Sequence, residues 1–169
     1  MPRLERLRAD HAAAVRQFEE ENRAYFTRFI SDRGDDYFEH FDERHAALLT
    51  DQEAGNGAYH VLVDDDGAVL GRFNLILDGD GGGDGRAELG YRVAERAAGR
   101  GLATSAVEEL CRRAATEYGV REVVAATSHE NVASQRVLTK AGFVLEGPAA
   151  PARIGGKQGS SYRRELGEG

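Results

Sequence analysis

"RAELGYRVAERAAGRGLATSAVEEL", residues 86–110, changes its period part-way along. Its first eight residues alternate as a strand does, setting Leu89 and Tyr91 against Glu88, Gly90 and Arg92 on the other face. From Leu102 onward the apolar residues recur at helical spacing, through Ala106, Val107, Leu110, Cys111 and Ala114. Between strand and helix stand Gly99 and Gly101, with Arg96 and Arg100 beside them. A helix interior disfavours glycine by about 1 kcal/mol relative to alanine, so both glycines belong to the turn. A strand that runs straight into a helix leaves unpaired backbone N–H groups, backed by the positive end of the helix dipole. Glycine there lets an anion come close to the main chain. The turn has the parts of a phosphate cradle, with Thr104 adding a hydroxyl. It is equally the tight loop that two glycines with positive φ would make.

Downstream, "REVVAATS" (121–128) reads as a buried strand and "NVASQRVLTKA" (131–141) as a helix closed by Gly142. "FVLEGPAA" (143–150) and "GSSYRREL" (159–166) read as further strands, and Gly119 suits the left-handed end of the helix after the turn. Upstream, "AYHVLVD" (58–64) and "AVLGRFNLILD" (68–78) flank an acidic turn and read as a hairpin. "GDGGGDG" (79–85) reads as a mobile loop without chemistry. The first third reads as two amphipathic helices: 9–30, with Asp10 as N-cap, and 35–55, with Phe38, Phe41, His45, Leu48 and Leu49 inward. Antiparallel strands followed by a strand–helix–strand crossover predict one α/β (α+β) domain, a mixed sheet with helices on both faces.

A chain of 169 residues suffices for one domain with a sizeable core, and neither an internal repeat nor a linker interrupts it. No apolar run approaches the roughly 20 residues that span a bilayer. The charged start, "MPRLERLRAD", lacks the apolar stretch of a secretory signal, so a cytoplasmic location and no membrane partner are expected. The single cysteine, Cys111, excludes an intramolecular disulfide and reads as a buried core thiol. A formal net charge of −7 argues against a nucleic-acid partner and favours a cationic or amine-bearing one. The five histidines lack metal-ligand spacing, so no metal is expected, and His129 reads as packed or solvent-facing.

The choice of phosphate narrows by elimination. No Gly-Lys-Ser/Thr of a P-loop occurs, and a dinucleotide fingerprint would need a third glycine where Thr104 stands. The acidic residue that should end the next strand is also absent, Glu130 lying too far on. The stretch from Arg96 to Gly101 instead resembles the acetyl-coenzyme A signature of the GNAT superfamily of N-acyltransferases, Q/R-x-x-G-x-G/A. "NVASQRVLTKAGF" (131–143) is similar to that superfamily's asparagine followed by a helix ending in Lys-x-Gly-Phe, and "AELGYRV" matches in kind. The resemblance is close over 86–147 and holds in outline over the helical first third. Within the superfamily the chain looks most like the Rim-type ribosomal-protein N-terminal acetyltransferases, through Asn-x-x-Ser and "ENRAYF…GDDYF".

The resemblance implies transfer of an acetyl group from acetyl-CoA to an amine, with residues 86–147 as the cofactor-binding core and 9–55 on the acceptor side. The amides of Gly99, Arg100, Gly101, Leu102, Ala103 and Thr104 would take the pyrophosphate, and Arg96 and Arg100 would add charge. The main chain of Tyr91 and Val93 would line the pantetheine arm, and the Asn131 amide would anchor the arm or the cofactor tail; Asn131 also reads as an ordinary helix N-cap, and both roles could hold. Many superfamily members carry a tyrosine seven residues after this asparagine, where this chain has Leu138. Ser134 is what the Rim-type resemblance offers to hydrogen-bond the leaving thiolate. Glu88 is the candidate base, directly or through water, the alternative being a solvent-facing or arginine-bound carboxylate. Glu21, Asn22, Tyr25 and Phe26 could border the acceptor, or form an ordinary amphipathic helix.

A protein N-terminus is the acceptor the Rim-type resemblance implies first, and it demands little of a base, since an α-amine with a pKa near 7.7–8.0 is already about 10% neutral at pH 7. A small amine (an antibiotic, polyamine or amino acid) is the alternative within the same chemistry. A non-catalytic acyl-CoA-binding module is the alternative outside it, and a nicotinamide oxidoreductase is third. A monomer or homodimer is expected.

Overall fold

The sheet is built around the alternating stretches. In the computed structural model, which describes residues 1–77 and 85–167, the strands are β1 (Arg3–Arg6), β2 (Gly57–Val63), β3 (Val69–Leu77), β4 (Arg86–Val93), β5 (Glu122–Ser128), β6 (Val144–Pro148) and β7 (Gly159–Glu165). They form one seven-stranded sheet in the order β1-β2-β3-β4-β5-β7-β6. Only β4 and β5 pair in parallel; the other pairs are antiparallel. The glycine-rich loop expected at 79–85 lies outside the described residues except for Gly85.

The helices are α1 (Ala12–Glu21), α2 (Arg23–Phe26), α3 (Asp35–Glu39), α4 (Phe41–Glu53), α5 (Leu102–Glu117) and α6 (Val132–Lys140). Neighbouring residues of β4 show that they cover both faces of the sheet. Arg92 reaches Glu19 of α1, whereas the Tyr91 hydroxyl reaches Ser134 of α6. Phe18, Phe41, Phe73, Leu75, Leu110 and Leu138 are among the largest fully buried side chains. Burying such a side chain stabilises by about 1.5–3 kcal/mol. Cys111 lies in this core, and burial pushes its thiol pKa up, away from reactivity.

The first third departs from the expected pair of helices. Strand β1 was not expected: only Leu4 of "RLER" is buried, and the charged residues beside it are those that guard an exposed sheet edge. The helix expected over 9–30 opens as a 3-10 turn (Ala9–His11) and is interrupted at Asn22. Asn22 spends its side chain on main chain, donating from Nδ2 to the Phe18 carbonyl and accepting at Oδ1 from the Glu95 N–H. Asp10 is not an N-cap; its carboxylate takes the Arg8 Nε at 3.0 Å, and His11 Nδ1 accepts the Arg8 N–H. The second expected helix divides at His40, and Tyr37 is buried more deeply than Phe38.

The sheet also opens at the decisive place. Parallel pairing of β4 with β5 runs from Arg86 opposite Glu122 to Leu89 opposite Ala125 and goes no further. Beyond it the strands part and leave a wedge between them.

Candidate active site

The turn after β4 satisfies its first amides and leaves the next ones bare. The N–H of Ala94 donates to the Leu70 carbonyl, that of Ala97 to Ala94, and that of Ala98 to Glu95. Ser105 donates to the Gly101 carbonyl and begins the helical ladder. Among the described residues, none of the amides of residues 99–104 donates to protein. Gly99 and Gly101 both have φ of +75°, and a Cβ on either would point into open space. The positive-φ reading of these glycines holds, and the open space beside them leaves room for the close approach of a ligand. The 16-residue helix α5 places its dipole behind the bare amides.

These amides border a cavity of about 330 Å³. Of the residues expected to hold a cofactor, Tyr91, Val93, Gly99, Gly101, Ala103, Thr104 and Asn131 line it, as does Ser134. Arg100 and Leu102 lie outside the lining, and so does Arg96, whose guanidinium is 3.7 Å from Asp64. Tyr25 and Phe26 form part of the opposite wall. Glu21 does not, and Asn22 is committed to the main chain as described above. The sequence reading missed Phe29, Ile30, Arg136 and Lys140, all of which line the cavity. The two cations sit four residues apart on α6, a spacing that puts them on one helical face and was open to inspection. Neither has an ion-pair partner among the described residues.

A second cavity of about 80 Å³ fills the wedge between β4 and β5. It shares Phe29, Ile30, Tyr91, Asn131 and Ser134 with the first, so the two form one channel from the bare amides into the sheet. At the junction, Asn131 caps α6 by accepting the Ser134 N–H at Oδ1, 3.1 Å away, which leaves its Nδ2 free among the described residues. The capping oxygen and the unused donor are thus different ends of one amide, on a residue that lines both cavities. Ser134 Oγ is 2.7 Å from the Tyr91 hydroxyl. Desolvation raises the Tyr91 phenol above its ordinary pKa, only partly offset by the Ser134 contact.

Behind the wall lies a charge cluster that the sequence did not announce. Glu19, 1% exposed, accepts Arg72 at 2.7 Å and Arg33 and Arg92 at 3.1 Å each. Burial alone would raise its carboxyl, but the three guanidinium groups outweigh that and hold it below the usual range. Arg92, which lines the larger cavity, is pushed down to about 10 by burial and by the charge of Arg33.

Comparison with known proteins accords with this geometry. The acetyltransferase (GNAT) domain family matches residues 3–144. The chain belongs to the GNAT acetyltransferase family. GNAT membership makes it an acetyl-CoA-dependent N-acetyltransferase. A comparison with curated proteins returned no match. Among solved structures, the ribosomal-protein-S5-alanine acetyltransferase from Vibrio fischeri is 18% identical with a TM-score of 0.87, over 96% of this chain and 92% of that one. Mycobacterium smegmatis RimJ, in complex with CoA-disulfide, is 20% identical with a TM-score of 0.81, over 96% and 80%. Spermidine N-acetyltransferase from Vibrio cholerae, in complex with CoA and spermine, is 16% identical with a TM-score of 0.79, over 98% and 95%. These likenesses establish a shared fold.

Within the GNAT frame, the residues present suit acetyl-CoA. A diphosphate needs donors that the protein has not already used, and residues 99–104 supply them beside glycines with no side chain in the way. Leu138, at the position where many GNAT members carry tyrosine, is buried and lines the wedge. Glu88 lines neither cavity; it stands half-exposed on the α1 side of β4, with the Arg153 Nε 3.4 Å from its carboxylate. His129 is exposed, 3.2 Å from the Ser160 hydroxyl. The one group of potential metal ligands among the described residues, Asp36, Glu39 and His40, is exposed and lines neither cavity. No helix among the described residues is long and apolar enough to cross a membrane.

Proposed function

We propose that the chain acetylates the N-terminal α-amine of a protein. The observation that carries the reading is the row of unused amides at 99–104 opening into a channel that ends at Ser134 in the wedge. Acetyl-CoA supplies an activated acyl group, a thioester whose sulfur is the leaving atom. The amides of residues 99–104, with Arg136 and Lys140 at the cavity wall, hold its phosphates. The free Nδ2 of Asn131 and the main chain of Tyr91 and Val93 hold its arm. Ser134 donates a hydrogen bond where negative charge gathers on the departing sulfur. The acceptor comes from the α1–α2 side, where Glu88 takes a proton directly or through water.

The choice of acceptor follows from how little base the site offers. The carboxylate proposed as base, Glu88, lines neither cavity and is shared with Arg153. An α-amine is already about 10% neutral at pH 7, whereas a lysine amine is neutral only to about 0.04%. A small amine is the second reading, favoured by the net charge of −7, which attracts polycations. Thiol release from acetyl-CoA separates the two. Peptides beginning with alanine or serine should show kcat/KM at least tenfold above polyamines and free amino acids; the reverse order gives the site to small amines.

A further inference from the structure

We propose that Tyr91 is a positioning residue for acetyl transfer, its phenol donating to Ser134 Oγ and so aiming the Ser134 hydroxyl proton at the departing sulfur. The inference rests on the acetyltransferase reading, in which Ser134 faces that sulfur. Tyr91 entered the sequence reading only through its main chain; the structure gives its side chain a separate task.

The hydroxyl bookkeeping makes the case. Tyr91 Oη lies 2.7 Å from Ser134 Oγ and 3.2 Å from the Ser134 carbonyl oxygen. A phenol has one proton, so two arrangements exist. If it goes to the carbonyl, the Ser134 proton must go to Tyr91, and Ser134 shows the channel only lone pairs. If it goes to Ser134 Oγ, the serine proton is released. Among the described residues Ser134 Oγ has no partner but Tyr91, so the released proton is available to a ligand. Both side chains line both cavities, which puts that ligand in the channel. Charge growing on sulfur selects the second arrangement, and each bond in such a chain strengthens the next.

Tyr91 is also built to hold still. Its ring stacks on Phe73 at 5.6 Å and 16°, and Phe73 is fully buried. The phenol therefore comes from rigid β4 onto the face of α6 where the helix itself carries Leu138.

The step balances without a proton from either residue. The acceptor nitrogen's lone pair forms the C–N bond as the carbonyl–sulfur bond breaks, and that bond's electron pair leaves on sulfur. The nitrogen's proton goes to Glu88 or water, and the thiolate takes one from solvent after release. The thiolate of a thiol near pKa 8.5 is a weaker base than tyrosinate, whose parent phenol sits near 10 before burial raises it. Ser134 and Tyr91 therefore donate hydrogen bonds and keep their protons.

The test is a double-mutant cycle on the single-turnover rate of acetyl transfer, with CoA affinity measured alongside. Tyr91→Phe keeps the ring stack, and its thermal melt should stay close to that of the wild type. It should lower the rate about tenfold, with KM for acetyl-CoA and affinity for CoA within about twofold. In a Ser134→Ala background the same change should cost less than about twofold, because the atom it acts through is gone. An unchanged rate in Tyr91→Phe, an equal loss with Ser134 absent, or an effect confined to KM each overturns the proposal. A wild type that binds CoA but acetylates no amine overturns the acetyltransferase reading, and the role of Tyr91 with it.

Discussion

Two buried ionisable residues both cost the fold stability as pH falls, each in its own range. His60, 1% exposed, has Nε2 3.2 Å from the Tyr118 hydroxyl and no partner at Nδ1 among the described residues. Burial, assisted by the charge of Arg113, pushes its pKa down to about 4, so the folded protein holds it neutral. Unfolded histidine titrates near 6.5, so this stability is complete above that value and is lost as pH falls toward 4. The loss should reach about 3 kcal/mol by urea unfolding, and His60→Gln should flatten it. Glu19 acts lower. Its depressed carboxyl stabilises the fold above the unfolded value near 4.3, and that contribution disappears as pH drops below it. Glu19→Gln leaves Arg33, Arg72 and Arg92 facing one another and should cost about 3–5 kcal/mol at pH 7. A smaller loss would mean that the arginines find water instead. Neither residue was legible in the sequence, since a glutamate within "FEEEN" reads as solvated until three arginines from elsewhere arrive.

Elements were more legible where one periodicity ran unbroken. Strands β3 and β4, helix α5 and the strand–helix pair that follows it lie within a few residues of their expected bounds, because each alternates or repeats over a full length. The first third resisted because its breaks come from tertiary partners. Asn22 leaves the helix to bond Glu95, and β1 exists by pairing with β2, with Arg3 opposite Val63. The turn at 94–104 was legible in kind, its two glycines marking it, but not in which side chains line the cavity. Gly101→Val tests it at this scale. A branched residue at φ +75° costs about 1–2 kcal/mol of backbone strain, which a folded domain survives, and its side chain stands in open space beside the bare amides. The variant should keep a cooperative melt and lose at least tenfold in CoA affinity; normal affinity would take the phosphates away from this turn.

Across the whole molecule, charge is divided. The chain carries −7 overall, yet Arg92, Arg136 and Lys140 all line the larger cavity. An anionic ligand is thus attracted locally and repelled at a distance, and salt screens both effects over about 8–10 Å. Arg136→Ala together with Lys140→Ala should weaken CoA binding about tenfold at low salt and flatten its dependence on ionic strength, as calorimetry would read. An undiminished salt dependence would assign the attraction elsewhere. The measurement that goes most directly to the centre of the account is a titration with CoA followed by amide-resolved NMR. The N–H resonances of residues 99–104 should move downfield together and exchange more slowly with solvent as CoA saturates. Saturable binding that leaves those six amides unmoved would contradict it.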